Sequence, residues 1–291
     1  YRKKMMMGTN TYQTYVNLEK YGYQYQYVHN SLQLNQGPFL GNNDSIKHPV
    51  FSEIGYLSGI AQTDWSWTPL VTDFNNDGNR DIIITNGYPK DVTDHDFMAY
   101  RNKAYTLVSK KDILDQIPQV KIHNYAFINN GDLTFSDVSA QWGLEEPSFS
   151  NGAAYADLDN DGDMDMVINN INDEAMVYRN MTRERNKQSS NYLQVKFEGS
   201  RTNINGLGAF AEIYYDHGKH QVWENSPYRG YLSSVQDVAQ FGLGQTTKVD
   251  SVIIKWPDYK MQILYNVQAN QRLKVNINRA NLVYSCSDQK I

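Results

Sequence analysis

Two stretches of this sequence place oxygen-bearing side chains at alternate positions: Asp157-Leu158-Asp159-Asn160-Asp161-Gly162-Asp163-Met164-Asp165 and, upstream, Asp73-Phe74-Asn75-Asn76-Asp77-Gly78-Asn79-Arg80-Asp81. Positions one, three, five and nine are Asp or Asn in both copies, and position six is a glycine, where the backbone must turn sharply. Ca²⁺ takes about six to eight hard oxygen ligands. Carboxylates crowded this closely repel one another until a cation joins them. Both stretches therefore read as calcium loops. Asp73, Asn75, Asp77 and Asp81, and likewise Asp157, Asp159, Asp161 and Asp165, are the side-chain ligands; position seven, Asn79 or Asp163, supplies its backbone carbonyl. The plain alternative is a pair of Asx-rich turns without metal, but a turn needs one or two such residues, not five.

The elements that hold the loops follow from their flanks. An EF-hand loop needs a bidentate Glu at position twelve between two helices, whereas here position twelve is Ile84 or Ile168. Ile82-Ile83-Ile84-Thr85 and Met166-Val167-Ile168-Asn169 are short, apolar and rich in β-branched residues, which predicts strand, loop, strand. Laying 51–88 over 135–172 at a shift of 84 gives eleven identities, among them Phe51 with Phe135, Gly59 with Gly143 and Asn86 with Asn170. Such a repeat of short strands points to a propeller or solenoid array. The long spacing is explained by an inserted helix over 93–117, capped by Thr93-x-x-Asp96 and stopped by Pro118. Its acidic start, Asp91, Asp94, His95 and Asp96, is explained by capping without chemistry.

Elsewhere, the alternation of Tyr21-Gly22-Tyr23-Gln24-Tyr25-Gln26-Tyr27 predicts a strand. Asn35-Gln36-Gly37-Pro38 and Gly41-Asn42-Asn43-Asp44 predict turns. The polar run 183–190 predicts a linker, so the chain divides into a repeat region, 1–182, an all-β domain, 191–278, and a tail, 279–291. Strands are expected at 192–197, 209–215, 221–224, 240–243, 249–256 and 272–277. The Gly206-Leu207-Gly208 and Gly242-Leu243-Gly244 phrases lack the helix and Lys of a phosphate loop and read as turns or bulges.

Composition narrows the function classes. Lys and Arg number 27 against 32 Asp and Glu, a net charge of −5, with no basic run beyond Arg2-Lys3-Lys4, so a nucleic-acid partner is excluded. Cys286 is the one cysteine, which excludes an internal disulfide or a Cys-based zinc site. No apolar run approaches the roughly 18 residues of a membrane span, and no signal segment is expected within this stretch. The start at Tyr1 leads to the expectation of a fragment or processed form.

Both repeats resemble FG-GAP (VCBS-type) blades, the propeller repeat of integrin α-subunits: Asp157–Asp165 matches Asp-x-Asp-x-Asp-Gly-x-x-Asp fully, and Asp73–Asp81 departs at Asn75. The carboxyl-terminal part resembles the ASPIC/UnbV domain through Asn205-Gly206-Leu207-Gly208-Ala209, Gly230-Tyr231-Leu232-Ser233-Ser234, Phe241-Gly242-Leu243-Gly244, Val249-Asp250-Ser251-Val252 and Lys255-Trp256-Pro257. This order of parts is similar to the cartilage acidic protein family and its bacterial surface-protein relatives. The resemblance implies an all-β fold: a partial β-propeller with an inserted helix, then a β-rich ASPIC/UnbV domain. Two loops cannot close a propeller of four to eight blades, so further blades are expected upstream. A calcium-stabilised, non-enzymatic binding or adhesion module follows, extracellular or at the cell surface (outer-membrane-associated or secreted), with a protein or glycan ligand. The competing expectation is a glycan-active enzyme or glycan-binding accessory module. It lacks a catalytic constellation, since the six histidines are dispersed and no serine sits in a nucleophile elbow. The sequons at Asn43 and Asn180 are too common a pattern to carry weight.

Overall fold

The computed structural model describes residues 12–24, 29–40, 46–92 and 94–285. Arg2-Lys3-Lys4, the sequon at Asn43 and Cys286 lie outside them, as do Tyr25 to Tyr27 and the turn expected at 41–44. Strands dominate, helices are few, and no sheet closes on itself among the described residues, in line with an all-β, propeller-like architecture. No helix of the described residues is long and apolar enough to cross a membrane.

After helix α1 (Tyr12–Tyr21) come β1 (Gln33–Leu40) and β2 (Ile46–Glu53), an antiparallel pair. Next are β3 (Ser66–Thr72) and β4 (Asp81–Asn86), then helices α2 (His95–Ala104) and α3 (Lys110–Asp115). The repeat region continues with β5 (Tyr125–Asn129), β6 (Phe135–Asp137), β7 (Ser150–Ala156), β8 (Asp165–Asn170) and β9 (Met176–Tyr178). Here β3-β4-β5-β6 form one sheet and β7-β8-β9 another. A short helix, α4 (Thr182–Arg185), leads to β10 (Asn191–Glu198), β11 (Phe210–Tyr215), β12 (Lys219–Glu224), β13 (Ala239–Gly244), β14 (Lys248–Lys255), β15 (Lys260–Gln268), β16 (Gln271–Asn276) and β17 (Leu282–Val283). These last strands make two sheets, β13-β10-β16 and β12-β11-β14-β15-β17.

Three local expectations are corrected. Tyr21 ends a helix and Tyr23 and Gln24 are outside any strand, so the Tyr-rich alternation does not start one there. Asn35-Gln36-Gly37-Pro38 lies inside β1 as a register shift: the Asn35 side chain accepts a hydrogen bond from Gly37 N at 2.8 Å, and the sequence signal of a turn marks a bulge. The insertion is two helices rather than one, and the described cap is Asp94, whose Oδ1 accepts from Phe97 N at 2.9 Å; Thr93 lies outside the described residues. Ser109 caps the second helix. Phe97, Ile113 and Ile117 give the insertion a small core of its own.

The chain packs as two compact units. The first comprises the residues up to Thr68 with Ile83–Asn151 and Asn169–Glu174; the second comprises Pro69–Ile82, Gly152–Ile168 and everything from Ala175 onward. Both aspartate loops and the 183–190 run thus fall in the second unit with the carboxyl-terminal strands. Its core is strand alternation at work. On β10, Leu193, Val195 and Phe197 are buried, and Phe197 meets Trp256 edge to face at 5.9 Å; on β13, Ala239, Phe241 and Leu243 do the same. The intervening residues, Tyr192, Gln194, Gln240 and Gly242, point to the opposite face by the period-two rule, yet they too are buried. What covers them is the pair of loops.

Candidate metal centre

Each loop turns at the same two places, with left-handed backbone at Asn76 (φ 58°) and Gly78 (φ 101°) and at Asn160 (φ 61°) and Gly162 (φ 100°). Position nine closes each turn: Phe74 N donates to Asp81 Oδ2 at 3.1 Å, and Leu158 N to Asp165 Oδ2 at 2.9 Å. Position twelve carries no oxygen and is buried in both, as Ile84 and Ile168.

The loops dock on a row of side chains across one sheet. Gln240 on β13 pairs with Gln194 on β10, which pairs with Arg272 on β16. Gln194 Nε2 donates to Asp157 Oδ2 at 2.7 Å, and Arg272 reaches the same oxygen at 3.1 Å while bonding Gln194 Oε1 and Asn160 Oδ1. Gln240 Nε2 donates to Asn76 Oδ1 at 2.7 Å and to Gly162 O at 3.0 Å, so one amide ties the two loops together. In the neighbouring row, Tyr192 and Gly242 press against the loops so closely that no side chain fits: a Cβ on Gly162 would fall 1.9 Å from the Tyr192 ring, and one on Gly242 would fall 1.9 Å from Asp73 Oδ2.

The second loop gathers its acids. Oxygens of Asp157, Asp159 and Asp161 lie within 4.8 Å of one another, which is the span of ligands around one ion at about 2.3–2.6 Å. Asp157 Oδ1, Asp161 Oδ2 and Asp163 Oδ1 are buried without any hydrogen-bond partner. Uncompensated buried acceptors of this kind are costly, and a cation supplies what they lack, so the donor set fits calcium. Asp159 Oδ2 accepts from Arg179 Nε at 2.8 Å. Both oxygens of Asp165 accept backbone N–H groups, from Leu158 and Asn180. Burial pushes the Asp163 carboxyl up to about 8, helped by the adjacent Asp161 carboxyl, which shares a proton with it when one is present and repels it when both are ionised; burial also raises Asp161 and Asp165.

The first loop satisfies itself. Asp73 accepts from Asp77 N and Gly78 N, Asn75 Oδ1 from Asp77 N, and Asp77 from Asn79 N and the Asn75 amide. Asn79 is exposed. Burial, then the Asp77 and Asp81 charges, hold Asp73 well above the usual carboxylate range. Asp73, Asp77 and Asp81 do not form a three-acid group of the kind seen in the second loop among the described residues.

Several participants carry no sequence signal. Glu184, in the run read as a linker, joins Asp161 and Asp163 in a second acidic group within 4.8 Å. Gln194 and Arg272 lie 37 and 115 residues from Asp157, beyond any local pattern. Asn180 is engaged through Nδ2 with Phe74 O at 2.7 Å and Met164 O at 3.2 Å, so its sequon does not present a free amide.

Comparison with known proteins places these features. The FG-GAP-like repeat model matches residues 119–168, a stretch that includes the second loop, and the model described as ASPIC and UnbV matches 199–282. The chain joins an FG-GAP-like repeat to an ASPIC and UnbV domain. It is also similar to Cartilage acidic protein 1 of Mus musculus, 24% identical over 219 residues (66% of this chain, 33% of that protein), and of Homo sapiens, 23% over 198 residues (67% and 25%). The chain thus spans a third or less of the length of these relatives.

Proposed function

We propose that this chain is a calcium-stabilised, non-enzymatic binding module of the extracellular space or cell surface. The carrying observation is the set of partnerless buried oxygens on Asp157, Asp161 and Asp163. When bound, calcium supplies the positive charge that these oxygens lack. The chain's own residues do the rest: Gln194 and Arg272 orient Asp157, Arg179 orients Asp159, and Asp165 braces the turn. Because the loops rest on the sheet of the ASPIC/UnbV part, an ion there fixes both against each other and leaves a rigid surface for a protein or glycan partner. An extracellular setting is supported by the FG-GAP-like repeat and by the similarity to Cartilage acidic protein 1, and millimolar extracellular calcium suits such modules.

Thermal melting in calcium and in excess EDTA tests the reading. Ligand at about 100 times Kd adds ~2.7 kcal/mol per site, which raises Tm by roughly 4–5 °C for a chain of this length. An unchanged Tm removes calcium from the account. Glycan turnover by the purified full-length protein would instead favour an enzyme.

A further inference from the structure

Position seven of the loop is asked only for its backbone carbonyl, so the side chain of Asp163 is left over. Its solvent exposure is 0%, and its Oδ1 has no partner. Its counterpart in the first loop, Asn79, is exposed and neutral. Beside Asp163 stand Asp161, whose Oδ2 is also partnerless, and Glu184, with ligand atoms mutually within 4.8 Å. Glu184 is not there by chance of a mobile side chain. The segment that carries it is strapped to the loop: Asn180 N donates to Asp165 Oδ1 at 2.8 Å, Asn180 Nδ2 to Met164 O, and Arg183 N to Asp163 Oδ2 at 2.9 Å. Arg179 pairs with both Glu184 and Asp159.

We infer that Asp161, Asp163 and Glu184 hold a second divalent cation beside the loop ion, with Asp161 shared between the two positions. The acidic groups 157-159-161 and 161-163-184 overlap at Asp161 and do not merge into one set; ligands of one calcium ion must all lie within about 5 Å of each other, so the two groups define two positions. The charge balance agrees. Asp157, Asp159, Asp161, Asp163, Asp165 and Glu184 are six carboxylates, Arg179 and Arg272 pair with them, and Arg183 stands over the adjacent Tyr192 ring. Three positive charges against six leave the cluster negative, and one divalent cation does not cancel that. The competing occupant is a proton held between Asp161 and Asp163.

Calcium bound per chain, counted by calorimetry and by metal analysis of the full-length protein at pH 7.5, decides between them. Glu184→Gln is expected to bind one calcium fewer than wild type, Asp159→Ala to lose a different one, and the double variant to lose both. Asp163→Asn, isosteric, is the second route to the Glu184→Gln result and serves if that variant melts abnormally in EDTA. An unchanged count in Glu184→Gln and Asp163→Asn, with a loss in Asp159→Ala, overturns the second position and leaves the loop ion standing. A wild-type protein that binds no calcium overturns both.

Discussion

The two aspartate loops share spacing, turn geometry and a docking surface, yet they differ in how their oxygens are satisfied. In the first, backbone N–H groups and the Asn75 amide occupy the carboxylates from within. In the second, Asp159 replaces Asn75 and Asp163 replaces Asn79, and three buried oxygens remain without donors. On the proposed reading, a ligand pattern favours a cation where the loop cannot answer its own acceptors. Swapping an amide for a carboxylate removes a donor and adds a charge in one step.

The glycine contacts separate the loops most sharply. Gly162→Ala drives a Cβ into the Tyr192 ring from a left-handed backbone at φ 100°, whereas Gly242→Ala strikes Asp73 and the backbone of Asn76. Overpacking against such partners costs about 3 kcal/mol. Both variants are expected to melt early in denaturant titrations, and Gly162→Ala is expected to weaken the second-loop calcium while Gly242→Ala spares it. Equal loss of that calcium in both would mean that the loops act as one site.

The pH dependence comes next in size. Asp73, Asp161, Asp163 and Asp165 are all raised in the fold, Asp163 to about 8. A carboxyl raised above its unfolded value favours the folded state most below about pH 4, and that contribution fades as pH climbs through the folded pKa. Melts in EDTA should therefore show stability falling from pH 5 to 8. Calcium requires the ionised acids, so in its presence the decline should flatten or reverse. A metal-free protein that gains stability over this range would contradict the burial of these groups.

Asn75→Asp is the smallest test and the one that sharpens the comparison. It removes the amide donor to Asp77 and supplies a further carboxylate at a half-buried position beside the exposed Asp77, where a partly screened charge change is worth about 1 kcal/mol or less. First-loop calcium affinity should rise by that amount in calorimetry while the second loop is unmoved. No change would show that the first loop is a turn and not a metal site.

Much of this organisation was legible because it is local. Alternate acids around a glycine, β-branched flanks, and the alternating strands at 192–197 and 210–215 each write their structure into neighbouring residues. β15 was not legible: Ile263, Leu264 and Tyr265 run together without alternation, and Asn266 breaks the strand's backbone at φ 56°. α1 has no buried residue to set a period. Glu184 hides in a polar run whose composition is that of a linker, and its role depends on Asn180 and Arg183 gripping the loop. Gln194, Gln240 and Arg272 form a row only once three strands distant in sequence are paired.

That row sets a timetable for synthesis. Asn76 and Gln240, joined by a single amide, are 164 residues apart in the chain. At about 5–20 residues added per second, the first loop waits on the order of 8–30 s for the strand that receives it. Until then its acids are without their seat, so the first loop is completed only once β13 is made, although it is translated early.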